Sequence, residues 1–409
     1  MWDGLLDRML AGLIREGTLD LTMPDGRRRR YGAGGGPQVA VRLTDPALPR
    51  RLVLSPDLAL GEGYVDGTVE VEGDDLHGLL GLALGNVAQA PSNWRNRAVA
   101  LGARLRPTAQ FNPADRSRRN VAHHYDLSER LYRLFLDRDM QYSCAYFRDP
   151  GMTLDEAQAA KKAHIAAKLL IEPGMRVLDI GCGWGGMGLT LARDYGARVL
   201  GVTLSVEQHR VATARAEQEG LADRVEFRLM DYRSVEGRFD RIVSVGMFEH
   251  VGVPQYHTYF RKVRDLLAPD GVALIHTIGR ASPPGATSPW ITRYIFPGGY
   301  CPSLSEMMAA VEDEGLYETD VEVWRLHYAM TLRHWYDRFM ANIDEARRLY
   351  DERFCRMWRY YLVASEQTFR LNRQCVFQVQ MAHRQEAVPL TRDYLYPAPA
   401  GARRLQAAE

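Results

Sequence analysis

Lysine is scarce in this chain; arginine supplies nearly all of its 52 basic residues. With 51 acids against them the formal net charge is only +1, so no global charge excess argues for a nucleic-acid partner. Cysteine is sparse as well. Its five copies, an odd count without a C-x-x-C pair, fit a reducing cytosol better than a disulfide framework or a zinc site. No H-E-x-x-H or comparable metal pattern occurs, and the adjacent His123 and His124 cannot share one helix face, so no metal is expected. Long apolar runs are missing too: Leu76–Ala90 is apolar but broken by glycines and too short to span a bilayer. The N-terminus carries acids early and has no clean apolar core, which argues against a signal peptide. There is no internal repeat and no low-complexity tract. What remains is an ordinary globular composition, 46% hydrophobic and 25% charged over 409 residues, with room for two domains.

The chain reads as three regions. Residues 1–92 mix short β-like runs (Val39–Leu43, Arg51–Leu54, Thr68–Val71) with turn clusters such as Gly32–Pro37. Trp2, Leu5, Leu6, Met9, Leu10 and Leu13 recur at helical spacing and predict an amphipathic first helix that packs into the local core. Residues 93–120 form a basic connector holding Arg95, Arg97, Arg104, Arg106, Arg116, Arg118 and Arg119 beside Trp94, broken by Pro107 and Pro113. Such a cluster suits either a solvated linker or acidic lipid headgroups. From residue 121 to 409, strands and helices alternate. Arg176–Gly181, Arg198–Thr203, Val225–Asp231, Phe239–Gly246 and Gly271–Gly279 read as buried strands, with later ones at Thr319–Arg325 and Gln374–Met381. Leu332–Arg370 reads as a helical insertion. The alternation predicts an α/β fold with a doubly wound, Rossmann-like sheet and a ligand at the carboxyl ends of its strands.

The stretch Val177–Gly186, VLDIGCGWGG, is a strand, an acid and a glycine turn opening a helix. Gly181, Gly183 and Gly186 satisfy G-x-G-x-x-G, which alone also fits a dinucleotide. A nicotinamide site carries an acid about twenty residues on, at the end of the second strand. Here that strand ends in Thr203, followed by Leu204 and Ser205, and the nearest acid, Glu207, lies inside the next helix. Asp179 at the first strand tip instead suits a cationic ligand, and Asp231 with Tyr232 suits an adenine edge and face. The arrangement resembles the first motif of S-adenosylmethionine-dependent methyltransferases.

Longer strings narrow this. His124-Tyr125-Asp126, Gln141-Tyr142-Ser143-Cys144-Ala145-Tyr146-Phe147, Thr203-Leu204-Ser205 with Gln208, and Gly246-Met247-Phe248-Glu249-His250-Val251-Gly252 follow one another in order. His276-Thr277-Ile278-Gly279, Phe296-Pro297-Gly298-Gly299 and Leu326-His327-Tyr328 complete the series. Together they resemble the cyclopropane fatty acid synthases, and Gly61–Gly67 resembles the N-terminal domain of the phospholipid-acting members. The resemblance implies a class I methyltransferase domain that transfers a methylene from S-adenosylmethionine to a cis double bond of an unsaturated phospholipid acyl chain. It assigns the cofactor to Tyr142, Ser143, Asp179, Gly181, Cys182, Gly183, Thr203, Leu204, Gln208, Asp231 and Tyr232. It assigns a bicarbonate base to Cys144, Glu249, His276, the backbone of Ile278, and Tyr328. Tyr146, Phe147 and Phe248 are expected to face a carbocation.

One departure stands out. Many members carry Tyr-Tyr-Leu-x-x-Cys late in the chain, whereas Tyr360-Tyr361-Leu362 leads here to Ser365. Direct attack of an alkene on a sulfonium methyl needs no enzyme nucleophile, so Ser365 is expected to be tolerated. The expected partners are unsaturated phospholipids at a membrane surface, reached peripherally from the cytoplasm, without nucleic acid; a homodimer is compatible with the pattern. An olefin methyltransferase giving methyl- or methylene-branched chains and a non-catalytic lipid-binding protein are the rivals.

Overall fold

A computed structural model of the protein describes residues 1–89 and 128–396. The connector 93–120 and the His124–Asp126 string lie outside the described residues.

The N-terminal region starts with helix α1 (Trp2–Leu13), as its periodicity predicts, with Leu6 buried and Met9, Leu10 and Leu13 packed on the local core. A four-stranded sheet follows, ordered β2-β1-β3-β4 from β1 (Gly17–Thr22), β2 (Arg28–Gly34), β3 (Gln38–Leu43) and β4 (Val69–Val71). Sequence reading missed β1 and β2: glycines bound the first, and four consecutive arginines hide the second. Its Arg51–Leu54 run is not a strand but the end of helix α2 (Leu48–Leu54), which has Pro49 in its first turn and Leu48 buried. Proline is pre-organised for that position, and it outweighed the β-like residues after it. Helices α3 (Pro56–Val65) and α4 (Leu76–Gln89) complete the region.

The second region is built on a seven-stranded sheet, ordered β10-β11-β9-β8-β5-β6-β7. Strands β5 (Arg176–Ile180), β6 (Arg198–Thr203), β7 (Val225–Leu229), β8 (Phe239–Val245) and β9 (Leu267–Arg280) run parallel. The pair β10 (Tyr317–Trp324) and β11 (Gln374–Ala382) adds an antiparallel edge, so the sheet is mixed rather than wholly parallel. Strand order reverses between β5 and β8, which opens the crevice where such sheets take ligands. The helical insertion between β10 and β11 comprises His327–Ala341, Ile343–Leu349 and the long helix Glu352–Leu371.

That long helix ties the two regions together. Arg356 donates from Nε to the Tyr64 carbonyl at 2.8 Å, and its guanidinium lies 4.4 Å over the Tyr64 ring. Asp57 accepts from the Ser288 hydroxyl at 2.8 Å, and Glu62 accepts from the Tyr294 hydroxyl at 2.8 Å. Tyr64, Val65, Leu76 and Leu80 share one apolar core with residues of the insertion. At the tightest point, a Cβ on Gly61 would run into the Trp290 ring, so only glycine lets α3 approach.

Candidate active site

Two cavities meet at one point. The first lies at the carboxyl ends of the parallel strands, and all eleven residues expected to hold the cofactor line it. The glycine turn after β5 supplies its floor: Gly181 has φ +80°, and a Cβ there would stand 2.7 Å from Met247. Asp179, at the end of β5, is 1% exposed, and its Oδ2 has no hydrogen-bond partner among the described residues. Burial pushes its carboxyl up to about 7, while Lys161 pulls it down. An orphaned acid in a ligand-sized crevice is suited to a cationic ligand. Thr203 Oγ1 donates to Gln208 Oε1 at 2.9 Å, so these two are fixed by each other. Asp231 is gripped by Arg233, which donates from its backbone N at 2.9 Å and from Nη2 at 2.7 Å. That pairing was not visible from sequence spacing, and it fixes the Asp231 carboxylate at the cavity wall.

The segment leading to Ser143 turns under this cavity through Met140, which holds a left-handed φ of 56°. Gln158 pins it by donating to the Gln141 carbonyl at 3.2 Å and the Ser143 carbonyl at 2.9 Å. The Tyr142 hydroxyl reaches that of Tyr361 at 2.8 Å, which ties the segment to the long insertion helix.

The second cavity is larger, about 620 Å³, and mostly apolar. It runs from Glu249, Ile278 and Tyr328 past Tyr360 and Tyr361 into the N-terminal region, where Leu10, Leu21, Val41 and Leu80 line it. Ser365 is on its wall. Tyr142, Gly246 and His250 line both cavities and therefore mark the junction. Burial lowers the His250 pKa to about 4, which keeps it neutral at the junction.

The five residues expected around bicarbonate are arranged less simply. Glu249 follows β8 and accepts from the Ile278 backbone N–H at 2.6 Å, while its Oε2 is buried without a partner among the described residues. Burial raises this carboxyl to about 7, against the pull of the Ile278 bond. Ile278 thus spends its N–H on Glu249. His276 and Ile278 alternate onto one face of β9, and Gln378, opposite His276 on β11, comes within 3.1 Å of its Nδ1. Burial holds the His276 pKa well below the usual histidine value. Cys144 is fully buried, with its thiol directed to the Ala145 carbonyl at 3.4 Å and its pKa raised by desolvation. Glu249, Ile278 and Tyr328 line the large cavity, whereas Cys144 and His276 line neither cavity.

Tyr146, Phe147 and Phe248 also line neither cavity. Tyr146 stacks between His164 and Trp324, Phe147 stacks on His334, and Phe248 packs in the core against Tyr256 and Phe260. Tyr142, Phe296, Tyr328 and Tyr361 are among the aromatic residues that line the large cavity with Glu249. Each belongs to a string that the sequence displays, but none of the four is expected there as the aromatic wall of the reaction centre.

Residues 113–379 match the family model described as mycolic acid cyclopropane synthetase, and residues 6–90 match a domain of unknown function. The cyclopropane-fatty-acyl-phospholipid synthase of Escherichia coli is 41% identical over 347 residues, covering 84% of this chain and 88% of that protein. A probable fatty acid methyltransferase of Pseudomonas putida is 36% identical over 390 residues, covering 92% and 96%. Among solved structures, the cyclopropane synthase MmaA2 from Mycobacterium tuberculosis superposes with a TM-score of 0.63 at 32% identity, over 66% of this chain and 99% of that one. The mycolic acid cyclopropane synthase CmaA1, complexed with SAH and CTAB, gives 0.62 at 34% identity over the same shares. The chain belongs to the cyclopropane synthase family of S-adenosylmethionine-dependent methyltransferases.

Proposed function

We propose that this protein transfers a methylene unit from S-adenosylmethionine to the cis double bond of an unsaturated phospholipid acyl chain drawn from a membrane surface. The observation that carries the reading is the junction, where an acid-bearing cofactor crevice and an apolar cavity share Tyr142, Gly246 and His250. A cavity of about 620 Å³ with mostly apolar walls has the size and character of a site for a long apolar ligand.

When bound, S-adenosylmethionine supplies an electrophilic sulfonium methyl. Asp179 answers positive charge on it, and the glycine turn gives its backbone close access. Ser143, Thr203, Gln208 and Asp231 are fixed polar groups around it. The apolar walls hold the alkene in line with that methyl and keep water from the cation that methyl transfer creates on the acyl chain. Tyr142, Phe296, Tyr328 and Tyr361 offer ring faces to that charge, worth about 0.5–2 kcal/mol each. Ring closure needs a base that takes one proton from the transferred carbon in this dry site. Glu249, poised near 7, either serves directly or presents its Oε2 proton to a bicarbonate that does. Of the other residues expected around such an anion, Tyr328 shares the large cavity with Glu249 and is the donor we assign to it, while His276 and Cys144 lie behind the wall.

A second reading shares the same cation. The Pseudomonas relative is named a probable fatty acid methyltransferase, and loss of a different proton would leave a branched chain. The lipids of a host fed one defined cis-unsaturated chain decide between them. Ring formation gives a gain of one methylene with a cyclopropane signal in proton NMR. The same gain without that signal establishes the branched product, and no gain despite S-adenosylhomocysteine binding refutes both.

A further inference from the structure

The chain has only four lysines, and three of them, Lys161, Lys162 and Lys168, fall in the helix Leu154–Lys168, all buried. A buried ammonium is costly unless its donors are filled and its charge is answered. Lys162 is answered by Asp139, and Lys168 by Asp320 and Glu322. Lys161 has no such partner. It is fully buried with no carboxylate in ion-pair contact among the described residues, and it donates to two neutral oxygens. These are Gln141 Oε1 at 2.7 Å and Ser143 Oγ at 2.8 Å, on side chains whose residues line the cofactor cavity. It is also the charged group that acts on Asp179.

The direction of the hydrogen bond matters. An ammonium can only donate, so Lys161 occupies a lone pair of the Ser143 oxygen. The serine's own hydrogen must then point elsewhere, and it has no protein acceptor among the described residues. Ser143 adjoins the junction: a Cβ built on Gly246 would sit 3.9 Å from the Ser143 Cβ. The hydroxyl is therefore a donor backed by positive charge, which is what a carboxylate requires. S-adenosylmethionine has one carboxylate, on the amino-acid tail beside its sulfonium.

We propose that Lys161 is a positioning residue for the methyl donor: it holds the Ser143 hydroxyl as a donor toward the carboxylate of the cofactor's tail and supplies the charge that answers it. The inference rests on the cofactor reading of this cavity and is independent of the lipid product. It also accounts for a lysine in an arginine-rich chain, because a planar five-donor guanidinium does not match two neutral oxygens in a closed site.

The test is calorimetric binding to the purified full-length protein of S-adenosylhomocysteine and of methylthioadenosine, which lacks the amino-acid tail. Lys161→Met should weaken S-adenosylhomocysteine at least ten-fold and methylthioadenosine less than two-fold. Ser143→Ala should show the same selectivity with a smaller loss, and the double variant should lose no more than Lys161→Met. Equal losses for the two ligands, or unchanged S-adenosylhomocysteine binding in either variant, would overturn the proposal. If Lys161→Met does not fold, Ser143→Ala decides by the same criterion. If wild-type protein binds neither ligand, the cofactor reading itself falls, and the inference with it.

Discussion

The cofactor cavity takes most of its wall from the ends of β5, β6, β7 and β8 and the turns after them, together with the Met140–Ser143 segment. The apolar cavity draws on residues from Leu6 to Gln374, in both sheets and in the long insertion helix. Each wall of the first is a short string, in which neighbours in sequence are neighbours in space. The second is assembled by docking two regions, and most of its wall comes from residues far apart in the chain. The difference teaches that the crevice at the strand ends is a local construction, whereas the apolar cavity is a property of the interface between regions.

The comparison can be broken from either side. The largest effect is expected at its junction: Glu249→Gln should lower turnover by about 10²–10⁴-fold while S-adenosylhomocysteine affinity stays within about two-fold. Equal activity would remove Glu249 from the mechanism. Next, Asp179→Asn should weaken S-adenosylmethionine by about ten- to a hundred-fold, as for loss of a hydrogen bond to a charged group, without altering acyl-chain preference. A loss in lipid selectivity instead would mean the two cavities are not separable. On the other side, Leu80→Trp narrows the apolar cavity at the shared core. It should raise KM for long acyl chains about ten-fold more than for short ones and leave cofactor binding intact, which a chain-length series in mixed micelles measures.

A smaller effect concerns pH. Asp179 and Glu249 both have carboxyls raised to about 7 in the folded protein. Their burial therefore favours the neutral form: the contribution is full below the unfolded value near 4 and lost as pH rises to and through 7. Stability of the cofactor-free protein should fall across that window by about 4 kcal/mol per carboxylate, and Asp179→Asn or Glu249→Gln should each flatten the curve in thermal melts. A profile unchanged in both variants would show that neither group titrates there. The smallest effect is expected from Ser365→Cys, which restores the family's residue on the cavity wall. Turnover should change less than about three-fold, and a larger gain would assign that position a chemical role.

Legibility followed the same divide. The parallel strands were readable because burial on both faces demands near-continuous Val, Ile and Leu, and β6 fell where its apolar run predicts. Failures came where context overrode propensity. Arg51–Leu54 became helix behind Pro49, and β2 formed from arginines because its partner β1 fixed its register and Asp20 accepts from Arg30 at 2.6 Å. At the site, Glu249 and Asp179 were readable as acids at strand ends. Phe248, which opens a short 3-10 turn three residues after β8, is core rather than reaction centre, because that turn packs its ring against Tyr256 and Phe260.

The sequence by itself determined the family and the glycine turn, and it named eleven of the residues that line the crevice, because a glycine turn at the end of a buried strand is a local conformational requirement that few residues satisfy. Tertiary structure alone decided that Arg233 clamps Asp231, that Lys161 lies behind Ser143, and that the apolar cavity reaches into the N-terminal sheet. These features depend on packing between segments far apart in the chain, such as Gly61 against Trp290, and burial against a distant partner leaves no fixed spacing in the sequence.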